Sequence, residues 1–342
     1  MKNNIYNKAT FYKRLFLLVI LIIILVILSV FLGSANVSLK DTVRIILSNI
    51  INISLEDIKT SSVVIINNVR LPRVLLAVLV GAGISACGTS YQSILKSNIV
   101  DPFMLGISSG AAFGATIALI FEMDNLLRPF AFIFAILVSL IVVCISKKTS
   151  NKLSLVLIGI NLNYFISALI SLLMFLNDNS LERVYYWTMG SLSGASFDAV
   201  LVLFLIVVPG IILLSILGKY LNAISIDTTY AKSIGIDIEK VTKLVIIVTS
   251  IITAVIVSYS GIIGFIGLMV PHITKLIFGN DNRYIIPYSA CIGALILLLC
   301  DNAARMLLSP SELPVGVITS LIGAPITLCL ILRKGRDVRW IF

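Results

Sequence analysis

Long runs without a charged residue, separated by short charged or glycine- and proline-marked breaks, set the pattern of this chain. Charge-free stretches cover residues 15–39, 74–95, 102–121, 129–146, 153–177, 199–218, 244–274 and 313–332, and a slightly short run lies at 284–300, between Arg283 and Asp301. A helix rising about 1.5 Å per residue needs roughly 20 apolar residues to cross a hydrocarbon layer of about 30 Å. The run 244–274 would be about 46 Å long as one helix, and Gly261, Gly264, Gly267 and Pro271 punctuate it. It therefore reads as two spans, near 243–260 and 263–278, which makes ten. The first run follows Lys2, Lys8, Lys13 and Arg14, as the core of a signal peptide would. It far exceeds the roughly 7–15 apolar residues of such a core, so an uncleaved helix is expected. The pattern predicts an all-α polytopic membrane protein with about ten transmembrane helices in a single domain, 1–342, with 219–243 as a cytoplasmic loop.

Composition excludes the main alternatives. Of 342 residues, 59% are hydrophobic and 12% charged, about half the roughly 25% charge of a soluble domain. A soluble enzyme and a disordered chain are both ruled out. The net charge of +10 would suggest nucleic acid in a soluble protein, but here it has a topological use. With the N-terminus inside, eighteen of the 26 Lys and Arg fall on inner segments: the two tails, Lys96, 147–152, 219–243 and 275–283. This bias predicts both termini inside a bacterial cytoplasmic membrane and no nucleic-acid partner. The outer exceptions are Lys40, Arg44, Lys59, Arg70, Arg73, Arg128, Arg183 and Arg305. Cys87, Cys144, Cys291, Cys300 and Cys329 lie in apolar runs without a CxxC pair or a companion histidine, and read as packing residues.

The expected membrane interior lacks carboxylates and basic groups near its midplane; Asp301 and Lys275 lie toward span ends. A proton- or ion-coupled transporter needs somewhere to hold its coupling ion, so the energy for any transport is expected from another subunit. No GxxxxGK[ST] occurs, His272 is the single histidine, and no nucleophile–base pair stands out, so neither an enzyme nor a resident cofactor or metal is expected. Small residues recur at helical spacing instead: Gly81, Ser85 and Thr89 on one span, and Gly106, Gly110 and Gly114 on the next. Such stripes let helix backbones approach closely, or line a path or a dimer seam.

Four segments together resemble the permease subunits of ATP-driven importers for ferric siderophores, haem and cobalamin, the FecCD-type family. They are Arg70-Leu71-Pro72-Arg73 leading through Gly81, Gly88 and Gln92 to Asp101-Pro102 and Gly106–Ala111; Leu157-Ile158-Gly159 with Tyr186–Leu192; Ala231–Gly235; and Gly264–Leu268 with Pro271-His272, Asp301–Arg305, Glu312–Gly316 and Gly323-Ala324-Pro325. The family usually reads Asn-Pro before the third span, whereas Asn98 is followed here by Ile99, so a less rigid turn is expected there.

The resemblance implies a type II ABC importer permease fold, working as a homodimer or with a paralogous permease, two ATPase subunits and a substrate-binding lipoprotein. It implies that Arg70, Arg73 and Arg305 form an outer platform for acidic residues of that lipoprotein, since the planar guanidinium binds carboxylates bidentately. From the residues alone, interfacial snorkelling, or for Arg305 an i, i+4 pair with Asp301, is the favoured reading. The residues of 219–243 themselves predict a compact knob of two short helices bent at a glycine, with Asp227 as N-cap and Gly235 as the turn residue; the resemblance implies that this knob, with Asp227, Ala231, Ser233 and Gly235, couples to the ATPase. The resemblance further assigns Gly81, Gln92, Gly106, Gly110 and Gly114 to the translocation path or its packing. The implied substrate is an iron chelate delivered from outside, a ferric siderophore or else haem or a corrinoid. A zinc or manganese permease, a proton-coupled secondary transporter and a channel are the weaker alternatives, the first because a bare cation would need oxygen or imidazole ligands.

Overall fold

Fourteen α-helices build the described part of the chain, in the order α1 (Lys8–Phe31), α2 (Leu39–Ser48), α3 (Thr60–Val64), α4 (Leu71–Leu95), α5 (Ile107–Ile120), α6 (Leu127–Ser146), α7 (Lys152–Leu176), α8 (Leu181–Thr188), α9 (Phe197–Ile226), α10 (Thr228–Ser233), α11 (Ile238–Ser260), α12 (Ile266–Phe278), α13 (Asn282–Met306) and α14 (Val315–Arg336). The structure, a computed structural model, describes residues 8–33, 35, 37–48, 57–146 and 152–336. Residues 1–7 and 337–342 of the two tails and 147–151 of the expected inner loop lie outside those residues. Among the described residues, seven helical stretches are long and apolar enough to cross a membrane, and α5, α12 and the described part of α14 are shorter apolar helices. These ten coincide in order with the ten expected spans.

Two spans depart from expectation. The stretch 102–121 is not one helix: Asp101 caps a 3₁₀ turn, Pro102–Leu105, by accepting from Phe103 N at 3.0 Å, and Gly106 then turns the chain at φ +77° into α5. Fourteen residues of α5 reach only about 21 Å. Gly106 is therefore a cap rather than the first member of a helical stripe. The stretch 199–218 is extended instead, since α9 runs on as helix to Ile226.

α4 lies at the centre, with buried residues on every side and its main neighbours α13 and α9. Backbone proximity explains its small residues. A Cβ on Gly81 would lie 2.3 Å from the Gly293 carbonyl oxygen of α13, and one on Gly88 would lie 1.9 Å from the Gly267 oxygen of α12. Gly110 and Gly114 of α5 likewise face backbone oxygens of α6, Phe134 and Phe130. These contacts give the stripes a packing role inside one chain.

The long run 244–274 breaks where its glycines stand. α11 ends at Ser260, residues 261–265 are non-helical, and α12 begins at Ile266. Freed backbone groups inside a membrane protein must find partners: Ser260 O accepts from Ser191 N at 2.8 Å, and Gly261 O accepts from the Ser260 hydroxyl at 3.2 Å.

Candidate functional site

One end of the bundle collects the three singled-out arginines. A π-helical stretch, Ile65–Arg70, joins α3 to α4 and brings Arg70 to the loop after α1. Arg70 donates to the carbonyl of Val30 at 3.0 Å and to that of Ala35. Arg73 donates from Nε to Asp301 Oδ1 at 2.9 Å and from Nη1 to Glu312. Arg305 donates to Leu32 O at 2.8 Å and to Asn302, with its Nε 3.1 Å from Asp301 Oδ2. Asn302 in turn donates to Ser29 Oγ at 2.7 Å. The exposures of Arg70, Arg73 and Arg305 are 4%, 3% and 2%. The guanidinium groups thus do not stand open to solvent: they tie α1, α4, α13 and the loop after α13 together, and the i, i+4 pair of Arg305 with Asp301 is present. Glu312, its side chain 30% exposed, is the member of the cluster that reaches the surface.

The opposite end carries the knob between α9 and α11. Asp227 accepts from Thr229 N at 3.1 Å and starts α10. Gly235, at φ +82°, ends it: Gly235 N donates to Lys232 O and Ile236 N to Ala231 O, each at 3.0 Å. This double closure requires a left-handed residue, which glycine adopts without a Cβ clash. The loop holds one short helix rather than two, because the next helical turn already belongs to α11, capped by Asp237 accepting from Lys240 N at 3.1 Å. That hydrogen bond, strengthened by the Lys240 ammonium, holds the exposed Asp237 carboxyl below its ordinary range. Ala231 is fully buried, inside a small cluster with Ala223 and Ile224, so it supports the knob from within. Ser233 and Gly235 are exposed, and Ile226, Tyr230 and Ile234 form an exposed apolar row with exposures of 74%, 50% and 52%.

A polar clasp, which the spacing of charges did not reveal, ties this end to the bundle. Asn222 of α9 donates to Asp281 Oδ1 at 2.6 Å and accepts from Asn282 N at 2.7 Å. Ser93 of α4 donates to Asn282 Oδ1 at 2.7 Å. Burial pushes the Asp281 carboxyl up, but hydrogen bonds from Arg283 and Asn222 outweigh it and hold the group low. Gln92 belongs to the same region: it accepts from Lys275 Nζ at 2.9 Å and donates to Leu268 O at 3.3 Å, which joins α4 to α12. Lys275 also donates to Asn98 at 3.1 Å. The signal available in the sequence was polar residues, Asn222 and Asn282, at the ends of otherwise apolar helices.

Between the two ends, an open apolar hollow of about 620 Å³ lies beside the helix break, lined by Thr188, Met189, Ile262, Gly264, Ser320 and Pro325 among others. Among the described residues no group of His, Cys, Asp and Glu is arranged to hold a metal ion.

A model of the FecCD transport family matches residues 21–333. The chain is 37% identical over 276 residues to the hemin transport system permease protein HmuU of Yersinia pestis, covering 78% of this chain and 83% of that one. It is 35% identical over 274 residues to the vitamin B12 import system permease protein BtuC of Vibrio vulnificus, covering 78% and 82%. Among solved structures, it superposes with a TM-score of 0.82 on a transporter assigned to the metal-chelate ABC type in an inward-facing conformation, at 32% identity and covering 94% of this chain and 99% of that one.

Proposed function

The chain belongs to the FecCD transport family, and from that premise we propose that it is the membrane-spanning permease subunit of an ATP-driven importer for an iron chelate. The preferred cargo is a ferric siderophore, with haem or a corrinoid as the runner-up. Two permease copies, or this chain and a paralogue, enclose the path. Two ATPase subunits bind on the inner side and a substrate-binding lipoprotein delivers cargo on the outer side of a bacterial cytoplasmic membrane, with both termini inside. The whole chain forms one transmembrane domain, 1–342.

The observation that carries this reading is the knob at α10. A knob built on a capped short helix, exposing Ile226 and Ile234 at its two edges and Tyr230 on the helix itself beside Lys232, is an unpartnered apolar surface of the kind that marks a protein contact. The buried base of the knob and the Asn222 clasp would pass a push on it to α4 and α13. Asp227, Ser233 and Gly235 shape the knob, and Ala231 fills its base. At the other end, the buried arginines act on docking through the groups they hold in place, the carbonyls of Val30, Leu32 and Ala35 and the Glu312 carboxylate. A lipoprotein carboxylate would reach Arg73 only by replacing Glu312. Gly81, Gly110 and Gly114 hold the helices that frame the path, with Gly106 as the turn into α5 and Gln92 as a brace.

In proteoliposomes holding the permease with its ATPase and lipoprotein, ferric-chelate uptake is expected to require ATP. Accumulation driven by a pH gradient without the ATPase would support a proton-coupled transporter instead, and uptake of free zinc or manganese in place of a chelate would support the metal-ion permease.

A further inference from the structure

Lys40 and Arg44, two of the basic residues that the charge bias leaves on the outer side, lie on α2, which has no part in the sites described above. α2 has ten residues, about 15 Å of helix, too short to cross a membrane. It packs on α1, on α3 and on the π-helical stretch before α4. The chain that leads into it is pinned: Arg70 holds the carbonyls of Val30 and Ala35, and Arg305 holds that of Leu32. Its faces differ chemically. At about 100° per residue, Thr42 and Ile45 fall on one side, and both are buried, Ile45 within the main core. Leu39, Val43 and Leu47 form an apolar row with exposures of 68%, 44% and 39%. Lys40 and Arg44 run beside that row, away from the buried side. Both are exposed, and neither has a hydrogen-bond or ion-pair partner among the described residues. Asp41 and Ser48 close the circle, between the basic pair and the buried side.

The order of these groups round the helix selects an environment. With Thr42 and Ile45 against the bundle, the apolar row and the Asp41–Ser48 edge lie about 150° apart, and the basic pair faces outward between them. A helix lying in a membrane surface has this arrangement: an apolar edge among acyl chains, a polar edge in water, and basic side chains level with the phosphates. The hydrocarbon layer also reaches this place, since the spanning helix α1 exposes apolar side chains as far as Ile27 and Leu28, one turn before its end. We infer that α2 is an interfacial helix that binds anionic phospholipid of the outer leaflet, with Leu39, Val43 and Leu47 among the acyl chains and Lys40 and Arg44 on the headgroup phosphates. The two cations supply the attraction to the anion. The apolar row gains from acyl chains what an acidic soluble partner, matched to the cations alone, would not give it. Because Arg70 and Arg305 hold the chain that leads into α2, lipid bound there bears on the buried arginine cluster. The inference requires that α1 spans the membrane and does not depend on cargo or on ATP.

The test uses the full-length permease with its five native cysteines replaced, in vesicles of phosphatidylcholine containing a fraction of phosphatidylglycerol. A bimane fluorophore is attached to Val43→Cys, to Leu39→Cys as a second apolar position, and to Asp41→Cys as the water-side control. Lipids with a nitroxide on the acyl chain are expected to quench the first two probes strongly and iodide weakly, with the reverse at Asp41→Cys. Nitroxide phosphatidylglycerol is expected to quench the Val43→Cys probe several-fold more effectively than nitroxide phosphatidylcholine. Adding Lys40→Gln and Arg44→Gln should remove that preference without lowering Tm, and high salt should weaken it in the parent. Equal iodide quenching at all three positions overturns the inference. So does equal quenching by the two nitroxide lipids, or a preference that survives the double substitution. A Val43→Cys probe reached by neither quencher is covered by protein, which overturns it as well. Loss of lipid quenching when the lipoprotein is added would assign the face to docking instead. The import reading fails separately, by absence of ATP-dependent uptake.

Discussion

Arg73 and Asp301, 228 residues apart in sequence, form a buried ion pair of 2.9 Å between the start of α4 and the last third of α13. Asp301 is shared, since its second oxygen lies 3.1 Å from Arg305, and one carboxylate thereby balances two guanidinium groups that the fold has taken out of water. Removing one partner of a buried pair costs about 3–5 kcal/mol, because the remaining charge is left uncompensated. Asp301→Asn is expected to lose stability on that scale, read as a fall in the detergent-solubilised Tm. Glu312→Gln, at the partly exposed edge of the cluster, should cost well under half as much. Equal losses would mean that burial does not rank these pairs.

Gly88 sets how closely α4 approaches α12. An added methyl would sit 1.9 Å from a backbone oxygen of Gly267, and neither rigid helix has a side chain there that can turn aside. Overpacking typically costs about 1–3 kcal/mol, and Gly88→Ala is expected at or above the top of that range. The check is the yield of monodisperse protein and its Tm against Gly194→Ala, a position with nothing within 4 Å.

Gly235 differs in kind. No neighbour lies within 4 Å, so the constraint is its φ of +82°, and a left-handed alanine costs about 1–2 kcal/mol. Gly235→Ala is expected to fray α10 and reduce ATP-coupled uptake, with little change in global Tm. Gly235→Asn, which tolerates this conformation better, should recover part of the uptake. If both variants match the parent, the knob has no part in coupling.

Asn222 bonds both Asp281 and the backbone of Asn282. Asn222→Ala removes two hydrogen bonds, about 1–3 kcal/mol. If the clasp transmits motion from the knob, ATP hydrolysis by the complex should persist while uptake per ATP falls several-fold. A proportionate fall in both would mark a purely structural role.

Asp101 supplies a pH dependence. It is half-buried between α4 and α5, and burial pushes its carboxyl up to about 6, against a weaker opposing effect from the Phe103 N–H. A pKa raised in the folded state gives stability that is full below about pH 4 and lost as pH rises to about 6. Asp101→Asn keeps the cap acceptor without the charge. It is expected to raise Tm at pH 7 and to match the parent near pH 4; the same increment at both values would mean another cause.

The sequence by itself determined the number and order of apolar helices, because the energetics of a hydrocarbon layer are legible residue by residue. It also determined the break near Gly261 and the left-handed end of the knob at Gly235, which are local backbone requirements. It marked Arg70, Arg73 and Arg305 as exceptions to a charge rule, but it could not say where their guanidinium groups pointed. That depends on a carboxylate on α13, more than two hundred residues away from Arg70 and Arg73, and on carbonyls beyond α1. Only the tertiary structure decided that these arginines face inward. It likewise decided that Ala231 is the floor of the knob rather than its surface, and that Asn222 reaches across to α13. Long-range pairing leaves no periodic trace, since its partners are chosen by packing in three dimensions and not by position along the chain.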